Sequence, residues 1–314
     1  MEESALNPYE FRFEKLPNPV LSPSDGGFDS KNVYNPAVVK RRGKTVMLYR
    51  AEAKEEEITG RIGLALSEDG IRFIKHPEPV MEPEYGWESL GVEDPRIVRI
   101  GKTYYMTYTG YDGRTARLCI ATSKNLLNWR KHGVVFEEFP FLKNGKPNWT
   151  KSGAILPEKM KSGPFGGHYI MYFGDSNIWL AYSRDLLHWE YEKEPVLRPR
   201  GHLAEPGPAP ILTEEGILLI HSEAFYEDGK LVYYTHAALF GREDPRKLIW
   251  RTEEPILRPT FDWERYGWVD NVVFAEAMVE HGGRYYLYYG GADRHVGLAV
   301  GTIKLGSSQK SSNV

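Results

Sequence analysis

One cysteine, Cys119, stands in 314 residues, so no internal disulfide can form. It lies in the apolar run LCIAT and reads as a small core residue. No run of apolar residues approaches the length of a membrane span, and MEESALNPYEF has no apolar leader character. Cytoplasmic placement without membrane contact is therefore the expectation. There is no excess of basic charge: 40 Lys and Arg face 43 Asp and Glu, and the net charge is −3. Binding to nucleic acid through phosphate neutralisation is excluded on that balance. Metal-ligand spacing is also lacking, because the nine histidines are scattered and no Asp-x-Asp-x-Asp loop occurs. No metal and no cofactor are expected. Long stretches with a 3.6-residue apolar period are missing too, which argues against a helical fold.

Aromatic residues are plentiful instead, with 20 Tyr, 13 Phe and 8 Trp. Most suit half-buried pleated surfaces. Tyrosine-rich runs recur five times, starting at Thr45, Thr103, His168, Gly216 and Arg284: TVMLYRAE, TYYMTYTGYD, HYIMYFGDS, GILLIHSEA and RYYLYYGGAD. A short apolar run precedes each (NPAVVKR, DPRIVRI, SGAILPE, APILTEE, VFAEAMVE), and a further run follows. Turns such as RRGK, RIGK and EHGG separate them. Four strands repeated five times predict an all-β, five-bladed β-propeller. RFEKLPNPVL from Arg12 matches RFIKHPEPVM from Arg72, the outer edge of the first complete unit. The last unit lacks that edge, so the N-terminal strand is expected to complete it and close the ring. One domain over 1–305 is expected, with a disordered tail over 306–314.

In a propeller the inner strands line a central channel, and their first residues ring one mouth together with the ends of the second strands. Counting along the repeats places Asn35, Glu93, Asp94, Lys151, Ser152, Glu205, Asp270 and Asn271 at the starts of inner strands. Arg50, Glu52, Tyr111, Asp112, Asp175, Glu223 and Asp293 fall at second-strand ends. EDPR occurs twice. The copy at Glu93–Arg96 faces the axis, with Glu93 supporting the blade, paired with Arg96. The copy at Glu243–Arg246 reads as a surface turn. Trp87, Trp149, Trp263 and Trp268 precede inner strands and could stack on sugar, whereas Trp129, Trp189 and Trp250 recur at one blade position as structural residues. Many carboxylates in one mouth raise some pKa values, as an acid working near neutral pH requires. Paired carboxyls in an aromatic pocket suit glycosidic bond cleavage.

NVYNPAVV, GVEDPRIVRIGKTYYMTYTGYDG, WTKSGAILPE, GPAPI and NVVFAEAMVE…YYLYYGGAD together resemble glycoside hydrolase family 130, the β-mannoside phosphorylases and β-mannosidases. The resemblance implies Asp94 as general acid, acting in the phosphorylases through a hydroxyl of the mannosyl unit. It implies Asn35, Arg50 and Asp293 as residues holding the sugar next to the scissile bond. Lys151 lies in a motif shared across the family. Where phosphorylases carry cationic or polar phosphate contacts, this chain has Asp175, Glu205 and the Ser222–Glu223 pair. A like-charge contact at about 4 Å costs on the order of 4 kcal/mol at an effective dielectric near 20. That cost favours water over phosphate dianion. The expectation is an inverting β-mannosidase acting from the non-reducing end, leaning to β-1,2 linkages, with Glu205 or Glu223 as general base. The alternatives are a β-mannoside phosphorylase with inorganic phosphate as co-substrate, and a non-catalytic carbohydrate-binding propeller. Tyr111, Asp112, Asp175, Asp270 and Asn271 complete the expected substrate contacts. An oligosaccharide is the expected partner, with the chain a monomer or small homo-oligomer.

Overall fold

A computed structural model of the chain describes residues 8–54, 56–139 and 149–306. The expected tail beyond Gly306 lies outside them. The strands form five antiparallel sheets, one per repeat. Blade one is Asn32–Arg41, Lys44–Glu52, Arg61–Ser67 and Ile74–Lys75. Blade two is Gly91–Ile100, Thr103–Tyr111, Ala116–Ser123 and Arg130–Val134. Blade three is Ala154–Ile155, Tyr169–Phe173, Trp179–Ser183 and Glu190–Tyr191. Blade four is Leu203–Pro206, Ile217–Glu227, Lys230–Phe240 and Leu248–Arg251, with Ile211–Leu212 added beside its second strand. Blade five is Val273–His281, Arg284–Gly291 and His295–Leu305, finished by Tyr9–Lys15 from the N-terminus. That last pairing runs from Tyr9 opposite Leu305 to Lys15 opposite Ala299, so the ring is the five-bladed propeller closed as the repeat comparison predicts.

The core is not one mass. It consists of five apolar seams, each made of side chains from two successive blades, including the seam between blades five and one. Tyrosines build them in a repeated way. Tyr49, Tyr108 and Tyr289 are fully buried in the second strands of blades one, two and five. Their cross-strand neighbours are Gly63, Cys119 and Gly297. A Cβ on Gly63 or Gly297 would sit 2.3 or 2.2 Å from the tyrosine ring, so only a hydrogen fits there. Cys119 is the small buried residue at that place in blade two, as the apolar run around it suggested.

Each of these tyrosine hydroxyls donates to a buried carboxylate that also holds a lysine. Tyr49 and Lys75 meet Asp29, at 3.1 and 2.7 Å. Tyr108 and Lys131 meet Glu88. Tyr289 and Lys15 meet Glu264, at 2.7 and 2.6 Å. Glu88 and Glu264 lie on the short helical turns Gly86–Glu88 and Asp262–Arg265, so the segment equivalent to Trp87-Glu88 is Trp263-Glu264. The segments SKNLLNW from Ser123 and SRDLLHW from Ser183 are serine-capped turns. Ser123 and Ser183 accept the amides of Leu126 and Leu186, which have left-handed φ of 72° and 71°.

Candidate active site

Inner-strand sequence sets up the site through irregular pairing. In blade one the ladder passes from Tyr34 to Ala37, skipping Asn35 and Pro36; in blade two it passes from Glu93 to Arg96, skipping Asp94 and Pro95. Proline cannot donate to a ladder, and Asn and Asp tolerate left-handed backbone at modest cost. Asn35 and Asp94 take φ of 46° and 48°. Blade five has the same device at Glu276, skipped between Ala275 and Ala277. These bulges bring the three side chains to the hub.

There they line a cavity of about 460 Å³ with Arg50, Lys151, Glu205 and Asp293. Tyr34, Ser152, Tyr233, Val272 and Phe274 complete the wall. Seven of the fifteen residues that repeat counting placed at the mouth thus meet in one pocket. Arg50 is the central cation, with guanidinium nitrogens 2.9 Å from Glu93, 3.1 Å from Asp94 and 3.6 Å from Glu52. Lys151 lies 3.2 Å from the other oxygen of Asp94. Burial alone would raise the Asp94 carboxyl, but Lys151, Arg50 and Arg96 outweigh it and hold it well below the usual carboxylate range. It is therefore ionised in the free protein, contrary to the expectation of a resting acid that carries its proton.

The neighbouring carboxyls go the other way. Burial pushes Glu205 up to about 7 against the pull of Lys151; Ser152 donates to it at 2.6 Å. Burial likewise pushes Asp293 up to about 7 against Arg50. Asp175 does not line the cavity, yet it is raised by burial and opposed by Lys151, so it shares the same field. Two carboxyls of the pocket, Glu205 and Asp293, therefore change charge near neutrality, beside the fixed carboxylate of Asp94 and the cations of Arg50 and Lys151. Among the described residues no cluster of three or more His, Cys, Asp or Glu is placed to hold a metal.

Other residues lie elsewhere. Glu223 is wholly buried away from the cavity, accepting from Arg200 at 3.3 Å and facing His221 at 3.1 Å. Burial would raise it, but His221 and Arg200 bring it down to about 2. Tyr111 packs edge-on to Trp149, and Asp112 caps a turn through the amides of Arg114 and Thr115 while pairing with Arg117. Asp270 accepts the Gly267 amide, and Asn271 bridges Arg265 to Tyr233 through its backbone. Glu93 pairs with Arg50 and Thr59 rather than with Arg96.

Arg96 is instead a buried tie across the hub. It donates to the carbonyls of Pro206 and Gly207 and lies 3.1 Å from Glu276, whose other oxygen accepts Asn35 at 2.9 Å. Glu276 escaped sequence reasoning. Its one signal is a lone acid inside the apolar run VVFAEAMV. The second EDPR is the surface turn predicted: Arg246 pairs with Asp244 at 2.8 Å, both partly exposed.

A pocket of this chemistry at the hub of a five-bladed ring defines a glycoside-acting propeller. The family model for glycoside hydrolase family 130, described as β-1,4-mannooligosaccharide phosphorylase, matches residues 6–305, and the chain belongs to that family. It is 38% identical to a 1,2-β-oligomannan phosphorylase of Thermoanaerobacter sp. over 91% of this chain and 95% of the relative. It is 40% identical to a β-1,2-mannobiose phosphorylase of the same organism, over 92% and 97%. A solved structure described as showing that this family of mannoside phosphorylases contains glycoside hydrolases targeting β-1,2 mannosidic linkages in Candida mannan superposes with a TM-score of 0.83. It is 33% identical, over 96% of this chain and 95% of the other.

The hydrolase expectation is corrected by the two phosphorylase relatives, which share more sequence with this chain. The physical error behind it is visible. It counted Asp175, Glu205 and Glu223 as three anions facing phosphate. Glu223 is held by Arg200 outside the cavity, and burial keeps protons on Glu205 and Asp175 at higher pH than usual.

Proposed function

We propose that this chain is a β-mannoside phosphorylase that cleaves β-1,2-linked mannooligosaccharides with inorganic phosphate and releases mannose 1-phosphate. The observation that carries the reading is its 38–40% identity, over nine-tenths of its length, to two phosphorylases of β-1,2-mannosides. The pocket supports it chemically. Lys151 and Arg50 supply positive charge, and carboxyls titrating near 7 can donate hydrogen bonds to an anion.

The reaction balances without a cofactor. The bond from the anomeric carbon to the leaving oxygen breaks, and a phosphate oxygen takes its place. The proton of hydrogen phosphate ends on the leaving hydroxyl. Asp94 is the proposed proton carrier. It is ionised beside Lys151 in the free protein. Phosphate that draws on the charge of Lys151 raises the Asp94 carboxyl, so the acid gains its proton once both substrates are bound. Asn35, Arg50 and Asp293 hold the mannosyl unit.

The test is incubation with β-1,2- and β-1,4-mannobiose, with and without phosphate, separating mannose from mannose 1-phosphate. Mannose 1-phosphate formed only with phosphate, and faster from the β-1,2 substrate, is the expected result. Mannose released equally fast without phosphate, or binding without turnover, overturns it.

A further inference from the structure

The hub cavity ends on buried side chains, with Glu276 and Arg96 between it and the smaller cavity deeper in the channel. A chain of sugars that places one unit there must leave by the mouth. Trp268 stands in the loop that enters blade five, bonded to the backbone beside the wall residue Asp293. It is 60% exposed, the one tryptophan among the described residues that is more than half open to solvent.

The other tryptophans before inner strands pack against other rings, Trp149 edge-on to Tyr111. Trp263 stacks near Tyr289 and donates its indole N–H to the Pro17 carbonyl at 2.9 Å; Trp87 stacks on Tyr85 at 4.5 Å. Trp268 has none of that cover, yet its position is set firmly. Its amide donates to the Ala292 carbonyl at 2.9 Å, next to Asp293 of the cavity wall. Gly267 packs so closely that a Cβ would fall 2.2 Å from the same carbonyl. Lys31 lies 4.1 Å from the indole centre and 3.3 Å from Glu52, which accepts the hydroxyl of Tyr34, another wall residue. The backbone is thus held by blade five and the ring by Lys31 before blade one, next to two wall residues, with much of the ring left in water.

We propose that Trp268 is the stacking platform of a subsite for the mannosyl unit that leaves, the unit following the one in the hub cavity. The inference rests on the phosphorylase reading for the direction of the chain. A pyranose presents an apolar face of C–H groups, and a fixed aromatic ring binds it at little entropic cost.

The reverse reaction separates this role from a structural one. With mannose 1-phosphate as donor and mannose as acceptor, Trp268→Ala is expected to raise the acceptor KM about five- to tenfold, the size of one aromatic contact. The donor KM should stay within about twofold, because the donor sits beneath. Trp268→Phe should recover part of the loss. The residue is exposed, so the thermal midpoint should not move. An unchanged acceptor KM, or donor and acceptor KM rising together, overturns the proposal. If the wild-type protein proves not to use phosphate, the phosphorylase reading falls, and the comparison is made on β-1,2-mannobiose binding. Affinity lost in Trp268→Ala then supports the subsite, and unchanged affinity overturns it.

Discussion

Glu205 shows how burial decides the charge of a single side chain. It is 7% exposed, and Asp175 and Asp94 add their repulsion to the cost of desolvation. Its pKa of about 7 in the folded state exceeds the ordinary carboxylate value. Between those two values the unfolded chain has released the proton and the folded chain keeps it. Stability contributed by this group is therefore full at low pH and is lost as pH rises through 7. Glu205→Gln should leave the unfolding free energy unchanged near pH 4 and raise it at pH 8 by about 1–3 kcal/mol, read by urea unfolding at both pH values. The same substitution should flatten the pH dependence of phosphate affinity. In the wild type, Glu205 and Asp293 each gain negative charge above pH 7, so the KM for phosphate should rise there. Phosphate's own ionisation is common to both proteins and cancels in the comparison.

At the scale of the strand, identical residues take different roles according to where the pleat breaks. Asp94 sits on a bulge with left-handed backbone and faces Arg50 and Lys151. Asp244, in the same EDPR tetrapeptide, caps a surface turn and pairs with exposed Arg246. Asp244→Asn should leave turnover within about twofold and cost under about 1 kcal/mol, as exposed pairs do. Asp94→Asn keeps the shape and tolerates the backbone, yet should abolish phosphorolysis. Steady-state rates and thermal midpoints of the two variants side by side check the contrast.

The bulges also explain what was legible beforehand. Asn35 and Asp94 could be placed at the hub because YNPAVV and EDPRIV stand at equivalent places in two repeats, and in both the residue before proline is where the ladder breaks. Glu276 makes the same break with no proline, so only its charge inside an apolar run marks it. Glu223 was misplaced by the parity of its strand. The ladder pairs Ser222 with Glu205 and Glu223 with Ala204, so Ser222 shares the face of Glu205 and Glu223 takes the opposite one. Repeat counting locates the end of a strand, but a one-residue shift reverses every side chain on it.

For the whole molecule, closure of the ring rests on chain segments more than 200 residues apart. Tyr9–Lys15 supplies the outer strand of blade five and, through Lys15, the cation for Glu264. Glu264 is fully buried and receives Tyr289, Lys15 and the amides of Thr260 and Phe261. Replacing it leaves a half-buried lysine with only the Arg258 carbonyl and a buried tyrosine hydroxyl without its acceptor, while the other seams keep their contacts. Glu264→Ala should therefore cost about 3–5 kcal/mol, in the range for breaking a buried charged pair. Asp29 and Glu88 hold the matching triads in blades one and two, but those join strands that follow one another closely along the chain. Glu264 fastens the two ends of the chain. Its loss should open blade five first, seen as faster amide exchange in Tyr9–Lys15 and His295–Leu305 than in blades two and three. Equal exchange in all five blades would show instead that the ring opens as one unit, with its ends no weaker than its middle.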